Sequence, residues 1–452
     1  MIDVNVNILD AVHCQTDRQG IELLFPCLSH DAVFYVKTQY RNERREYKKS
    51  LITKKGIFMT GHLPRIRVFC TRRKYNLIIS GTQEKILPEN PPKLPAINFR
   101  PDQIFLLEKA LKEQRGVIKA PTGSGKTLLI AGIMGCYPSK EKIIMTHQLS
   151  IIDQIVEELK IQKVGKPTVY AEGIKQLSKL TVASIQSMVN VNPREYSGRY
   201  DLVMVDEAHH VSDYKGIYMK VLENMIAPVR LGTTATVHSE NSKEYLAMEG
   251  ALGPVIGEIS INDGIEEGFL AMPKIRIERV PFNREIKALK TYMDVYNQCV
   301  VHNRSRNRLI ATLAKNEVLS GGSVLILVNI IEHGHNIKKV CDVLDVGAPF
   351  IHGETETEDR NKVKKDFISG KIRCVIASTI WREGVNVPNI NCLINACGGK
   401  DEIPVLQSIG RGLRVTNDKK EVIIVDFLDN SHWRLIDHLG HRLAVYSENG
   451  WL

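Results

Sequence analysis

The segment GVIKAPTGSGKT, residues 116–127, decides the fold. A short apolar run, GVIKA at 116–120, leads into a glycine-rich turn, and a helix-length apolar segment opens at about 126. Strand, glycine-rich loop and helix in that order are the context of a phosphate-cradling loop. Gly123 and Gly125 allow backbone N–H groups to turn inward, with Pro121, Thr122 and Ser124 between and before them. Lys126 adds a point charge for phosphate, and Thr127 offers a hydroxyl to Mg2+. Ala120 stands where the usual pattern has its first glycine. The alternative is a glycine-rich turn beside a chance lysine, which the order strand, loop, helix disfavours.

Working outward, short apolar runs alternate with amphipathic segments. KIIMT (142–146), TVASI (181–185), DLVMVD (201–206) and VRLGTTA (229–235) read as strands around the loop. Such alternation predicts a parallel sheet with helices on both faces. It resumes with SVLILV (323–328), APFIH (348–352), CVIAS (374–378), CLINA (392–396) and EVIIVDF (421–427). Ten or more strands divide better into two sheets than one. The boundary reads near AMPKI, 271–275.

A nucleotide site also needs a carboxylate at a strand end. DLVMVDEAHH supplies Asp206, placed to hold Mg2+ through water, and Glu207, placed to deprotonate an attacking water. Alone, the pair would read as a solvated acidic strand end. Beside the glycine-rich loop it reads as the second half of an ATP site.

Asp206-Glu207-Ala208-His209 spells the DEAH box, and the chain resembles a superfamily 2 helicase. RPDQ (100–103), THQLSIIDQ (146–154), ASIQS (183–187), GTTAT (232–236), ASTIWREGVNVP (377–388) and QSIGRGLR (407–414) follow in the family's order. The resemblance runs from Phe99 to the C-terminus. It implies two RecA-like lobes with ATP between them. Arg411 and Arg414 would then hold the γ-phosphate from the second lobe, where such an arginine contributes roughly 10^3–10^5 in rate. Gln407 would place the water or bridge the lobes, and Gly384 would border the nucleotide. Without the motif context, the two arginines would read as nucleic-acid contacts or surface ion pairs.

The resemblance also implies that Gln103, with Arg100, reads the adenine edge, although Gln103 could equally be a helix-surface residue. Thr234 and Thr236 would couple the ATP site to a nucleic-acid groove, or simply cap a strand end. Thr146, His147, Gln148, Ser184, Gln186, Ser378 and Thr379 would contact a single strand through its phosphates. For His147 the plain alternative is a partly buried polar residue. Asn386 stands where many relatives have Asp.

The 452 residues hold 43% hydrophobic and 25% charged residues, those of a globular chain. No apolar run reaches the ~20 residues of a membrane span. The N-terminus, MIDVNVNILD, is acidic at Asp3 and lacks a basic region, so a cytoplasmic protein without a secretory signal is expected. Nine cysteines show no C-x-x-C pair, against a zinc site or disulfide framework.

The net charge of +10 is concentrated: thirteen Lys or Arg stand against two Glu between Lys37 and Lys74. This block, with Arg44, Arg45, Lys48, Lys49, Arg72, Arg73, Lys74 and the aromatics Tyr47, Phe69 and Tyr75, reads as a duplex clamp. The plain alternative is a solvated charged face. VNVNIL, AVFYV, RIRVF and NLIIS read as short strands ahead of a proline-rich linker, LPENPPKLP at 87–95.

The expected architecture is therefore a basic, β-rich α+β domain over 1–90, then α/β lobes over 91–272 and 273–452. The compact layout looks like phage-encoded branch-migration helicases. It implies an ATP- and Mg2+-dependent enzyme, expected as a monomer, acting on forked or Holliday-type DNA in replication, recombination or repair. An RNA helicase and a nucleic-acid-binding protein with a vestigial ATPase are the alternatives.

Overall fold

A computed structural model of the chain describes residues 2–37, 42–89, 98–171, 174–281, 289, 291–378, 390–399 and 421–452. They form two compact units: Met1–Ala120 with Gly125–Ile259, and Ser260–Leu452 with Pro121–Ser124.

The first unit begins with a small α+β domain. Its elements are β1 (Asp3–Ile8), β2 (His13–Thr16), α1 (Arg18–Leu24), β3 (Ser29–Lys37), β4 (Asn42–Ser50), β5 (Ile57–Met59), α2 (Leu63–Arg73) and β6 (Asn76–Ser80). Four strands form a sheet in the order β5-β2-β1-β6. β1 buries Val4 and Val6, as strict alternation requires. β3 and β4 stand apart as an antiparallel ribbon of nine residues per strand, Ser29 opposite Ser50 and Lys37 opposite Asn42.

One expectation fails here. RIRVF (65–69) reads as a strand but lies inside α2. Leu63, Ile66 and Cys70 are the buried residues, at the i, i+3, i+7 spacing of a helix. Pro64 sits in the first turn, where its missing N–H costs nothing, and Lys74 closes the helix in the left-handed region. The alternation of Ile66 and Val68 with arginines imitates a strand, yet Val68 is 52% exposed.

The first unit continues with α3 (Pro101–Glu113), β7 (Arg115–Lys119), α4 (Lys126–Gly135), β8 (Lys142–Thr146), α5 (Leu149–Ile161), β9 (Thr168–Ala171), β10 (Ile174–Lys175), β11 (Leu180–Ser184), α6 (Ile185–Met188), β12 (Leu202–Asp206), α7 (Ile217–Leu222), β13 (Val229–Thr234), α8 (Lys243–Leu252) and β14 (Val255–Glu258). Eight strands pair in the order β10-β9-β11-β8-β12-β13-β7-β14. Every pairing is parallel except β10 with β9. β8, β11 and β12 are buried at every position, which is why they read as unbroken apolar runs.

The small domain is keyed to α8. Glu249 is buried and accepts a fork from Arg65, at 2.9 Å from Nε and 2.6 Å from Nη2. His62 is also buried, with Nδ1 3.5 Å from Glu249 and Nε2 3.1 Å from the Tyr214 hydroxyl. That hydroxyl donates to Leu246 O at 2.6 Å. Burial pushes the Glu249 carboxyl up, but His62 and Arg65 outweigh it and hold the group below the usual range. At Gly61 an added Cβ would collide with the carbonyl oxygens of Glu249 and Gly250, so only glycine fits.

The second unit holds α9 (Ile261–Glu266), β15 (Met272–Arg279), α10 (Tyr292–Tyr296), α11 (Arg304–Leu319), β16 (Val324–Leu327), α12 (Ile331–Val343), β17 (Phe350–Ile351), α13 (Thr357–Ile368), β18 (Cys374–Ala377), β19 (Cys392–Asn395), β20 (Glu421–Leu428) and α14 (Trp433–Glu448). Six strands in the order β15-β20-β19-β16-β18-β17 are all parallel. Along β16, Val324 and Ile326 join one core cluster while Leu325 and Leu327 join another, so both faces are covered. The unit starts at Ser260, ahead of the 272/273 boundary read from the sequence, because Ile261 and Ile265 pack on its core. Arg442 makes a fork on Asp426, at 2.7 Å from Nε and 3.0 Å from Nη2, and donates to Gly399 O at 2.6 Å, which ties α14 to β20 and to the segment after β19.

Two helix-flanked, predominantly parallel sheets after an α+β domain make the fold class read from the sequence: two RecA-like lobes. All nine cysteines are thiols outside any disulfide, and eight are buried. No helix among the described residues is long and apolar enough to cross a membrane.

Candidate ATP and nucleic-acid site

β7, β8, β11, β12 and β13 run parallel, so their carboxyl ends share one edge of the sheet. Open α/β sheets bind ligands at that edge. The residues after these strands are the glycine-rich loop, Thr146–Gln148, Ser184–Gln186, Asp206–Glu207 and Thr234–Thr236.

The glycine-rich loop leaves β7 and enters α4 with Gly123 at φ 93° and Gly125 at φ 87°. Gly125 has a second reason to be glycine, because a Cβ there would collide with the Gln103 amide. Lys126 opens α4 and donates to Ala120 O at 3.2 Å, reaching back across the turn. Ser124 is buried and Thr127 half-buried. Gln103 is buried too. Its Oε1 accepts from Arg100 N at 3.1 Å, so it caps α3 while its amide faces the loop. Arg100 pairs with Asp102 at 2.9 Å. These contacts make both residues fixtures of the helix start beside the loop.

Asp206 ends β12 with its carboxylate buried. Its Oδ1 accepts from Thr233 Oγ1 at 2.7 Å and from Glu207 N at 3.0 Å. Burial pushes this carboxyl up, the Glu207 charge adds to the shift, and Lys126 and Thr233 oppose it. Two carboxylates and a lysine thus sit together, groups of the kind that could hold a divalent cation and phosphate. Glu207 adopts the left-handed region at φ 53°, a sparsely populated conformation for a residue with a side chain. Its Oε2 lies 3.4 Å from His209 Nδ1.

His209 Nδ1 also lies 2.9 Å from Thr234 Oγ1, which itself donates to Thr236 O at 2.8 Å. The structure therefore joins Thr234 and Thr236 to the Asp206–Glu207 turn. On the neighbouring strand ends, Gln186 donates to His147 O at 3.0 Å and accepts from Ser184 Oγ at 2.8 Å. Ser184 also caps α6. His147 and Gln148 are half-buried, whereas Thr146 is fully buried and presents no hydroxyl to solvent.

In the second unit Ser378 follows β18, buried, with its N–H donating to Ile351 O at 3.0 Å. Thr379, Gly384, Asn386, Gln407, Arg411 and Arg414 lie outside the described residues. In the N-terminal domain Arg45, Lys48 and Lys49 are exposed on β4, and Lys48 pairs with Asp31 at 2.8 Å. The backbone of Arg44 lies in the same strand, opposite Tyr35. Arg72, Arg73 and Lys74 are exposed at the end of α2, with the Arg73 guanidinium 5.7 Å from the Phe69 ring centroid.

Two contributors escape a reading of the sequence. Thr233 looks like one more strand residue beside Thr234, and only the parallel register that sets it against Asp206 reveals its bond. His210 is the second histidine of a pair in which the DEAH match claims the first. Its ring centroid lies 3.9 Å from His147 and 4.2 Å from His209.

Comparison with known proteins bears on this geometry. Residues 96–239 match the family model of the type III restriction enzyme res subunit, and residues 305–416 match the helicase conserved C-terminal domain. The ATP-dependent DNA helicase uvsW of Enterobacteria phage T4 is 24% identical over 352 residues, covering 74% of this chain and 68% of that protein. The DNA 3'-5' translocase XPB2 of Sulfurisphaera tokodaii is 25% identical over 362 residues, covering 73% and 81%. The chain spans 61%, 60% and 52% of the length of three other curated relatives it matches. The crystal structure of the DUF1998 helicase MrfA bound to DNA shares the fold, with a TM-score of 0.60 at 12% identity over 80% of this chain and 56% of that one. Both helicase domain models match in this order, and with its two RecA-like sheets the chain resembles the superfamily 2 helicases, phage-encoded members among them.

Proposed function

We propose that the chain is an ATP-hydrolysing DNA helicase or translocase that remodels branched DNA, forks and Holliday-type junctions among them. One observation carries the reading: the phosphate loop, the Asp206–Glu207 turn and the polar ends of β8 and β11 share one sheet edge.

Each residue has a role there. Pro121–Thr127 wrap the phosphates and Lys126 neutralises them. Asp206 and Thr127 supply hard oxygen ligands suited to Mg2+, which when bound neutralises charge on the phosphates. Glu207 orients the attacking water and takes its proton. Arg411 and Arg414 supply the cations that stabilise charge developing on the γ-phosphate, and Gln407 helps place the water. Gly384 borders the nucleotide, and Arg100 with Gln103 sets the wall beside the loop.

His147, Gln148, Ser184, Gln186, Ser378 and Thr379 hold a single strand through its phosphates, and Thr146 contributes through its backbone. The ribbon β3–β4 and the end of α2, with Arg44, Arg45, Lys48, Lys49, Arg72, Arg73 and Lys74, hold the adjoining duplex. A two-stranded ribbon fits the major groove, and basic side chains along it neutralise phosphates. The preference for branched DNA draws support from this pairing of a duplex-binding domain with a strand-binding edge and from the likeness to uvsW.

The test is strand displacement from a synthetic four-way junction with ATP and Mg2+. Wild-type protein separates the arms and Glu207→Gln protein does not. Arms that stay joined with wild-type protein while ATP is consumed would contradict the junction reading.

A further inference from the structure

We propose that His210 is the positioning residue through which nucleic acid at His147 sets the Glu207 carboxylate. The inference rests on the nucleic-acid-driven ATPase reading above and adds to it the route between the two ligands.

Three imidazoles stand in a row on the sheet edge. His147 follows β8 among the residues assigned to the single strand. Its ring centroid is 3.9 Å from that of His210, tilted by 53°. The His210 ring is 4.2 Å from His209, tilted by 37°. Both distances are shorter than the roughly 4.5–7 Å usual for aromatic pairs, so one ring cannot turn without displacing the next. His209 ends the row with Nδ1 3.4 Å from Glu207 Oε2 and 2.9 Å from Thr234 Oγ1. The backbone closes the same unit, because His210 N donates to Glu207 O at 3.0 Å. A displacement at His147 therefore reaches the carboxylate that handles the attacking water through two ring contacts and one short turn.

Exposure separates this role from simple packing. A ring that only filled the core would be buried, as His209 is. His147 and His210 are half-buried, less enclosed than His209, so a bound strand can press on them. Gln186 fixes the backbone of His147 by donating to its carbonyl, so a second residue of the strand-binding edge anchors the residue that carries the ring.

The experiment measures ATP turnover by full-length protein against single-stranded DNA concentration, for wild type, His210→Ala and His210→Phe. The readout is the stimulation factor, maximal kcat with DNA over kcat without it, alongside KM for ATP. His210→Ala lowers the stimulation factor about tenfold at unchanged KM. His210→Phe keeps a ring in the row and restores the factor to within about twofold of wild type.

A His210→Ala protein with wild-type stimulation overturns the inference. So does a fall in basal and stimulated turnover by the same factor, which marks a merely structural role, and so does a His210→Phe protein that behaves like His210→Ala. A wild-type protein that no DNA stimulates overturns the reading beneath, and the relay falls with it.

Discussion

Thr233 Oγ1 donates a 2.7 Å hydrogen bond to Asp206 Oδ1, across adjacent parallel strands and wholly inside the protein. The bond favours the ionised carboxylate, which burial and the Glu207 charge both disfavour. Thr233→Val removes the donor and keeps the shape. The Asp206 carboxyl then rises further, so activity that needs its ionised form is lost at a higher pH on acidification. The expected outcome is a kcat lower by about tenfold near neutrality and an acid limb moved upward in the pH–rate profile. An unmoved acid limb would show that this bond does not govern the site.

Arg65, His62 and Glu249 fasten the N-terminal domain to α8, the helix that follows Thr234–Thr236 in the chain. Removing one partner of a buried ion pair costs about 3–5 kcal/mol, because the other is left uncompensated. Glu249→Ala is therefore expected to lower the unfolding midpoint of the N-terminal domain and to reduce strand displacement more than ATP turnover. Gly61→Ala attacks the same seam sterically and is expected to act alike. Thermal melts followed alongside both assays check this, and equal loss in the two assays would argue for general unfolding.

Lys142 gives a pH dependence of opposite origin. It is buried against Tyr137 O at 2.6 Å, and burial, with the Lys179 charge adding, brings its pKa from 10.5 down to about 8. Between those values the unfolded chain binds more protons than the folded one, so this residue makes stability rise with pH across that window. Below about 8 both states hold the proton and the burial penalty is present in full. Lys142→Met carries no such term. Its Tm relative to wild type should fall as the pH is raised from 7 to 10, and a constant difference would refute the assignment.

The proposed duplex binding through the ribbon would carry a salt signature. Each phosphate neutralised contributes about −0.9 to the slope of log K against log salt. Arg45→Ala with Lys49→Ala is expected to flatten the slope by about 1.8 for duplex DNA. Lys48→Ala, at a lysine paired with Asp31, should flatten it by at most about 0.9. Filter-binding or anisotropy titrations across salt read both.

The parallel sheets were legible because buried strands read as unbroken apolar runs, and the glycine-rich loop because its context is local. RIRVF misled because helical and strand periods coincide over five residues. Capping of α3 by Gln103 was hidden behind its motif role, and burial of Thr146 behind its position at a strand end. The seam between Arg65 and Glu249 joins residues 184 apart, and no local pattern announces such a contact. His210 and Thr233 depend likewise on which strands become neighbours, so their partners exist only in the folded chain.

The most direct measurement is the ATPase rate of the full chain with no nucleic acid, single-stranded DNA, linear duplex, forked DNA, a four-way junction and RNA, at matched phosphate concentration and two salt levels. The account predicts greatest stimulation by forked and four-way DNA. Equal or greater stimulation by RNA, or none by branched DNA, would contradict it.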